Sequence, residues 1–215
     1  MRLSWIRGSI ALALLASCVV GGVSNAQDNK TTQSGEKDKN EVKDESAKDK
    51  KKSGKPTKIS LPEYKLTMMS PAEWEKKTPR FPQMIKYEFS APAGAKEGEP
   101  TARITYSVLG GSVEGNIQRW KGQFQKLDEK KSKVTKFVAS KKTVHWADLR
   151  GSFKDTMGAP PFAGRPPKIR ANYRMLGAIV ELDGKLLFIK ATGPEKVVTK
   201  FADSMEKMLK EMKVD

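Results

Sequence analysis

Alternating apolar and polar residues predict five β-strands between residues 84 and 191. In the stretch 84–90, Ile85, Tyr87 and Phe89 alternate with polar residues, which is the period of two that a half-buried strand requires. The other four stretches cover residues 102–108, 142–153, 172–182 and 185–191. Asp183-Gly184 separates the last two and favours a tight turn, so these two strands are expected to pair as an antiparallel hairpin.

A helical period first appears after Ser112, a residue type that often caps helix N-termini. The apolar residues that follow recur every three or four positions and would share one face: Val113, Ile117, Trp120 and Phe124. This spacing predicts a helix over residues 112–124.

The C-terminal region predicts a second, longer amphipathic helix. Thr192 and Glu195 have the spacing of a capping box, and Pro194 suits the first helical turn. The apolar residues beyond them form a single stripe: Val198, Phe201, Met205, Met208 and Met212. A methionine-rich stripe serves either as a pliable partner groove or as core, and we interpret it as core because an apolar helix face usually packs inward.

Together these elements predict an α+β fold, in which an antiparallel β-sheet is flanked by helices. The predicted order is strands, helix, strands, helix. Trp74, Trp120 and Trp146 are expected to lie in the core. His145 precedes Trp146 on a predicted strand, so its side chain should point to the opposite face of the sheet.

The first 26 residues have the order of an export signal. Arg2 and Arg7 precede an apolar run from Ile10 to Val20, and small residues follow it. The run is shorter than the roughly 20 residues that a membrane-spanning helix needs. We therefore expect residues 1–26 to be a signal peptide that is cleaved after Ala26, and the protein to be exported to the periplasm or the extracellular space.

Cys18, the only cysteine in the chain, leaves a second interpretation open. The stretch "LASC" at 15–18 resembles the bacterial lipobox, whose cysteine carries a diacylglyceryl anchor. The apolar "VVGGV" that follows is unlike the small or polar residues usual after a lipidated cysteine, so simple cleavage is preferred. The intact mass of the mature protein would distinguish the two, because only the lipoprotein keeps Cys18 with an acyl adduct.

Residues 27–57 form a charged segment of low complexity. They include nine lysines and seven acids but one valine, one alanine and no aromatic residue. Such a composition buries too little apolar surface to offset its conformational entropy, so we predict a disordered linker. From Lys58 to Asp215 aromatic and β-branched residues return, and this length suits one domain of ordinary size.

Sequence patterns for catalysis and metal binding are missing. The chain has no G-x-S-x-G elbow, P-loop, dinucleotide-binding glycine motif or H-E-x-x-H pattern. One histidine, His145, and no cysteine after Cys18 leave no zinc site of the usual kind. We expect no cofactor, no metal and no enzymatic activity. A hydrolase built on His145, or on two acids that the fold brings together, remains the alternative.

The predicted domain is basic, with 30 lysines and arginines against 18 acids after residue 57. Lys126–Lys142 holds seven lysines and two acids, and we interpret it as a solvated face. Thr156–Arg174 contains no acid and four prolines, and we predict a loop that contacts a partner. The candidate partner-binding residues in it are Phe162, Arg165, Lys168, Arg170 and Arg174.

Several motifs in the domain resemble the PsbP-like family. They are "LPEYKLTMMSPAEW" at 61–74, "GNIQRW" with "QF" within 115–124, and "YRMLGAIVE" with "FIKATGP" within 173–194. The resemblance spans nearly all of Lys58–Asp215, and the second and third of these motifs are also similar to small exported bacterial proteins. It implies an α/β/α sandwich around an antiparallel sheet and a non-enzymatic binding or assembly role, and it transfers no binding residue to this chain.

The sequence thus favours an exported, envelope-associated, non-enzymatic binding or assembly module. Its expected partner is an envelope protein or an anionic polymer or lipid, and nucleic acid is a poor candidate for an exported protein despite the charge. One alternative is a basic adhesion domain that binds anionic lipid or wall polymer through charge alone. The other is the hydrolase named above.

Overall fold

The computed structural model describes residues 54–156 and 166–214. The helices within them are α1 (Val113–Lys121), α2 (Glu195–Thr199) and α3 (Ala202–Lys210). The strands are β1 (Lys58–Leu61), β2 (Leu66–Met69), β3 (Glu75–Lys77), β4 (Tyr87–Ala91), β5 (Ala102–Leu109), β6 (Phe124–Leu127), β7 (Lys133–Ala139), β8 (Lys142–Asp155), β9 (Lys168–Glu181), β10 (Leu186–Pro194) and β11 (Lys213–Val214). The predicted signal peptide, Cys18 and most of the predicted linker lie outside the described residues.

The larger sheet contains eight strands in the order β3-β4-β5-β10-β9-β8-β6, with β7 also paired to β8. All of its strand pairs are antiparallel. β9 and β10 are joined at the turn predicted for Asp183-Gly184, where Gly184 has a φ of 71° that glycine adopts without strain. The predicted hairpin and the α+β class with an antiparallel sheet are therefore confirmed. A second sheet contains β1, β2 and β11.

One face of the eight-stranded sheet packs against α2 and α3. Its apolar cluster includes Leu176 and Ala178 from β9, together with Trp74 and Trp146. The whole predicted C-terminal stripe belongs to this cluster, and none of its members is more than 4% exposed: Val198, Phe201, Met205, Met208 and Met212. The interpretation of the stripe as core is confirmed.

The opposite face of the sheet carries a smaller cluster beneath α1. Met175 and Ile179 alternate along β9 with the residues of the first cluster, so they point to this second face. Trp120 from α1 packs over them and meets the ring of Phe188 edge-on at 6.0 Å. The core positions predicted for the three tryptophans are confirmed, since Trp74, Trp120 and Trp146 are 1%, 3% and 7% exposed.

The first predicted helix has the expected start but a different end. The Ser112 Oγ accepts a hydrogen bond from the Gly115 amide at 3.1 Å, which caps α1. The helix ends at Lys121, and Phe124 belongs to β6 instead of the helix. Phe124 pairs in the sheet with Phe153, and their rings lie edge-to-face at 5.4 Å. The prediction of a helix through Phe124 was wrong. Phe124 follows Trp120 by four residues, which is a helical spacing, but it is buried because it lies in the sheet.

The predicted C-terminal helix was wrong at its start and in its continuity. Thr192 lies in β10, where it pairs with Arg103 on one side and Met175 on the other, so it does not cap a helix. α2 begins at Glu195 without a side-chain cap. A break then separates α2 from α3 at Phe201, whose φ of −122° and ψ of 12° leave the helical region. The Phe201 ring packs edge-on against Trp74 at 5.7 Å, and we interpret the break as the backbone change that allows this contact.

The lysine-rich stretch Lys126–Lys142 contains half of β6 and all of β7, two strands that the sequence did not predict. Along β7 the side chains of Lys133 and Lys136 are exposed, whereas Phe137 packs against the first core cluster. The solvated face predicted for these lysines is therefore confirmed on β7.

Close contact between α1 and the sheet depends on a glycine beneath Trp120. A Cβ at Gly177 would lie only 2.3 Å from Cζ3 of Trp120, far inside van der Waals contact. The indole ring therefore rests on the backbone of β9, and α1 is held over this part of the sheet.

We predict that Gly177→Ala lowers the free energy of unfolding by about 1–3 kcal/mol, because the methyl group would push Trp120 off the sheet. Gly110→Ala is the matched control, since a Cβ there has nothing within 4 Å, and it should change stability by less than about 0.5 kcal/mol. Urea unfolding followed by tryptophan fluorescence measures both. Equal stability of the two variants would contradict a tight Trp120 contact.

Candidate functional site

The structure describes three of the five candidate partner-binding residues. Phe162 and Arg165 lie outside the described residues. Lys168, Arg170 and Arg174 lie in β9, so the loop predicted to run through residue 174 ends before Lys168. The strand extends this far because β9 pairs with β8 from Asp155↔Lys168 onward.

Arg174 is buried, and its role is structural. Its Nε and Nη2 each donate to a carboxylate oxygen of Asp148 at 2.8 Å, and its Nη1 donates to Thr199 Oγ1 of α2 at 2.9 Å. The side chains of Arg174 and Asp148 are 8% and 5% exposed. The prediction that Arg174 faces a partner was therefore wrong, because a carboxylate from the neighbouring strand occupies its guanidinium.

Arg150 extends this ion pair into a network. It donates to Asp148 on β8 at 3.3 Å and to Glu195 of α2 at 2.8 Å. Burial alone would raise the pKa of Asp148, but hydrogen bonds from Arg174 and Arg150 outweigh burial and hold that pKa below its usual value. Asp148 and Glu195 thus share a cation, and the network fixes α2 against the sheet.

Beside this network lies a basic concave surface that we call the basic shelf. It comprises Lys168, Ile169, Arg170, Lys196 and Lys200, which line one concavity of about 1380 Å³ between the start of β9 and α2. Arg170 pairs with Asp155 at 3.1 Å. Within the described part of the chain, no acid pairs with the three lysines. Ile169 is 41% exposed among them.

A second concavity adjoins the basic shelf at Tyr173 and lies on the α1 side of the sheet. We call it the Lys190 groove and define it by six residues: Arg80, Arg103, Phe153, Lys154, Tyr173 and Lys190. This site was not among those predicted from the sequence. Lys190 directly follows the apolar run "LLFI" within a predicted strand. A charged residue inside an apolar strand was the signal that could have indicated this site.

His145 lies where the sequence predicted, on the face opposite Trp146 and 17% exposed. Its Nε2 is 2.6 Å from Glu181 Oε1. Among the described residues no hydroxyl group bonds to His145, and none of their acids, histidines and cysteines cluster in threes as a metal site would need. No helix within the described ranges is long and apolar enough to cross a membrane.

Comparison with known proteins finds similarity in solved structures alone. No family model and no curated protein matches the sequence. The solution structure of a cyanobacterial PsbP from Synechocystis aligns with a TM-score of 0.46 and 8% identity, over 76% of this chain and 94% of that one. The chain resembles PsbP-like proteins, as its motifs indicated.

Two further structures are similar at the same level. The Ran-binding protein Mog1p of Saccharomyces cerevisiae aligns with a TM-score of 0.41 and 10% identity, over 75% of this chain and 96% of that one. LpqN of Mycobacterium tuberculosis, a protein involved in cell envelope biogenesis, aligns with a TM-score of 0.41 and 12% identity, over 74% of this chain and 84% of that one. At these identities the similarity concerns the fold alone.

We predict that Arg174→Met destabilises the domain by about 3–5 kcal/mol at neutral pH, because it leaves Asp148 buried without its main partner. Lys168→Met, an exposed change on the same strand, should cost less than about 0.5 kcal/mol. Because the folded pKa of Asp148 is lowered, its contribution to stability is present above its unfolded pKa and is lost as the pH falls through the folded pKa.

The gap in stability between the wild type and Arg174→Met should therefore narrow below about pH 4. Denaturant unfolding at neutral and acid pH measures it. A variant as stable as the Lys168→Met control would contradict the structural role of Arg174.

Proposed function

We propose that the protein is an exported, envelope-associated, non-enzymatic binding module that uses its basic shelf to hold an acidic partner protein. The export signal and charged linker of the sequence support the location. The observation that carries the proposal is the basic shelf itself, where three lysines without an acidic partner among the described residues line the same concavity as the exposed Ile169.

The electrostatics of the basic shelf suit an acidic partner. Because Lys168, Lys196 and Lys200 have no ion pair within the described residues, their charges remain available to attract acids on another molecule. Such attraction acts over about 10 Å at moderate salt and mainly raises the association rate. Ile169 adds exposed apolar area to the same concavity, and protein interfaces usually combine apolar area with polar and charged groups.

The rigidity of the basic shelf favours a specific partner over charge-driven adhesion. Arg150 and Arg174 tie α2 to the sheet through Asp148, Glu195 and Thr199. The relative positions of the lysines on β9 and α2 are therefore fixed before binding. A preformed surface loses less conformational freedom on association, so shape as well as charge contributes to recognition.

A hydrolase has less support than a binding module. The fold brings two acids, Asp148 and Glu195, to one arginine, Arg150, which neutralises them, and the lowered pKa of Asp148 does not suit a general acid. His145 contacts a carboxylate in place of a nucleophile. Loss of a measured turnover in His145→Ala would overturn the non-enzymatic assignment.

We predict that a triple charge reversal of the basic shelf, Lys168→Glu with Lys196→Glu and Lys200→Glu, abolishes capture of the partner without lowering the melting temperature. The matched control reverses three exposed lysines elsewhere, Lys130→Glu with Lys133→Glu and Lys136→Glu, and changes the net charge equally. Crosslinking in the native envelope, followed by mass spectrometry and binding of the purified partner, compares the two variants with the wild type.

One recurrent acidic protein that binds the wild type and the control, but not the shelf variant, is the expected result. Equal losses in both variants, with binding that falls smoothly with salt, would instead indicate adhesion to anionic lipid or wall polymer. A melting temperature that falls only in the shelf variant would show that the basic shelf is structural.

A further inference from the structure

The Lys190 groove exists because α1 covers only part of its face of the sheet. Phe188, Lys190 and Thr192 point to the same face of β10. Phe188 lies beneath Trp120, whereas Lys190 and Thr192 line the open part beyond the helix. Arg103 on β5 and Tyr173 on β9 continue this open surface on either side.

Positive charge dominates the lining of the Lys190 groove. Arg80, Arg103, Lys154 and Lys190 line it, and Asp155 is the one acid among its lining residues. That acid already pairs with Arg170 at 3.1 Å. Glu88 holds the guanidinium of Arg103 in place with two hydrogen bonds of 2.7 and 2.9 Å.

Lys190 is a half-buried cation with poor compensation. Its Nζ donates to Gln123 Oε1 at 3.3 Å, a long hydrogen bond to a neutral group, and no acid among the described residues pairs with it. Burial and the charges of Arg103 and Arg119 lower the pKa of Lys190 to about 8. A core without a functional demand would normally place an apolar residue here, because an uncompensated charge opposes folding.

Thr192 supplies an independent sign of a ligand site. Its Oγ1 is buried without a hydrogen-bond partner, one of two such side-chain atoms in the described part of the chain. Buried hydroxyl groups nearly always have a partner. Thr192 lines the same groove two residues after Lys190, and rotation about its χ1 would turn the hydroxyl, which solvent does not reach in this conformation, toward a group with oxygen acceptors bound at Lys190.

We propose that the Lys190 groove binds a compact oxyanion, the carboxylate or phosphate group of a small molecule or of a lipid headgroup, and that Lys190 and Thr192 contact it directly. Ammonium and hydroxyl groups are donors that match such oxygens, and Arg103 adds a positioned charge. The groove encloses about 400 Å³, a volume that suits a small ligand. This site requires no partner protein and is independent of the basic shelf.

The walls of the Lys190 groove indicate what accompanies the anion. The rings of Phe153 and Tyr173 stack in parallel, with centroids 5.8 Å apart and an interplanar angle of 9°. They present apolar surface beside the cations. A ligand that carries a carbon skeleton next to its anionic group would contact both kinds of surface, so the groove suits an organic anion better than an inorganic one.

The first test is calorimetric titration of the full mature protein with phosphate and with sulfate as minimal probes. Lys190→Met should weaken binding by at least about tenfold and Thr192→Val by about threefold to tenfold. Lys185→Met, an exposed lysine at the turn before β10, is the control and should bind as the wild type does. Both groove variants should keep or raise the melting temperature, because each removes a group that opposes folding.

Sulfate makes the pH dependence informative because its charge stays constant between about pH 6.5 and 9.5, a range in which arginines also keep theirs. The charged form of Lys190 binds the anion, so affinity should fall as the pH rises through about 8 and beyond. The other charged or titratable groups at the groove are Arg80, Arg103 with its partner Glu88, Arg119, Lys154, Asp155 and Tyr173. The decline should disappear in Lys190→Met if Lys190 is responsible.

A second titration separates the two sources of the anion. Vesicles of phosphatidylglycerol and phosphatidylcholine in equal amounts are compared with phosphatidylcholine alone. Vesicle binding that is lost in Lys190→Met but kept in Lys185→Met would assign a lipid headgroup, and binding of soluble anions alone would assign a free ligand. The site is refuted if the wild type binds neither the soluble anions nor the phosphatidylglycerol vesicles. It is also refuted if Lys190→Met binds phosphate and sulfate as the wild type does.

Discussion

The contact between Trp120 and the backbone of Gly177 decides how the sheet is covered. The indole lies so close to β9 that a single Cβ would displace it, and it anchors a helix of only nine residues. At 1.5 Å per residue such a helix is about 14 Å long, shorter than a strand such as β8 or β9. The remaining part of this face therefore stays open, and the Lys190 groove occupies it.

Polar side chains satisfy one another at one site on the sheet and lack partners at another. On the face of α2, Asp148, Arg150 and Arg174 satisfy one another and Glu195, and this pairing sets the position of α2. On the face of α1, Lys190 has one long bond to an amide oxygen and Thr192 has none. Paired charges define the architecture, and charges without an acidic partner mark the surfaces that suit ligands.

Local patterns along the chain predicted much of the fold but little of the site. Asp183-Gly184 and the alternation over 102–108 carry their structural information within a few residues, and both were confirmed. Thr192 has capping-box spacing, yet it lies in a strand that pairs with β5 on one side and β9 on the other. This pairing depends on residues distant in sequence, so no local pattern could predict that Thr192 belongs to a strand instead of a helix cap. Arg174 likewise appeared free within a basic stretch because its partner, Asp148, is 26 residues away in sequence.

An orphaned buried polar atom is not by itself a binding site, and Trp74 shows why. Its Nε1 also lacks a partner, but the ring lies in the core between Phe89 and Phe201, where no anion could enter. Thr192 differs because it belongs to an open groove that four cationic side chains line. Both Thr192 and Trp74 lack a hydrogen bond, but only Thr192 also lies at an open groove lined by cations. These two additional features distinguish a polar group that suits a ligand from one that is buried within an aromatic cluster.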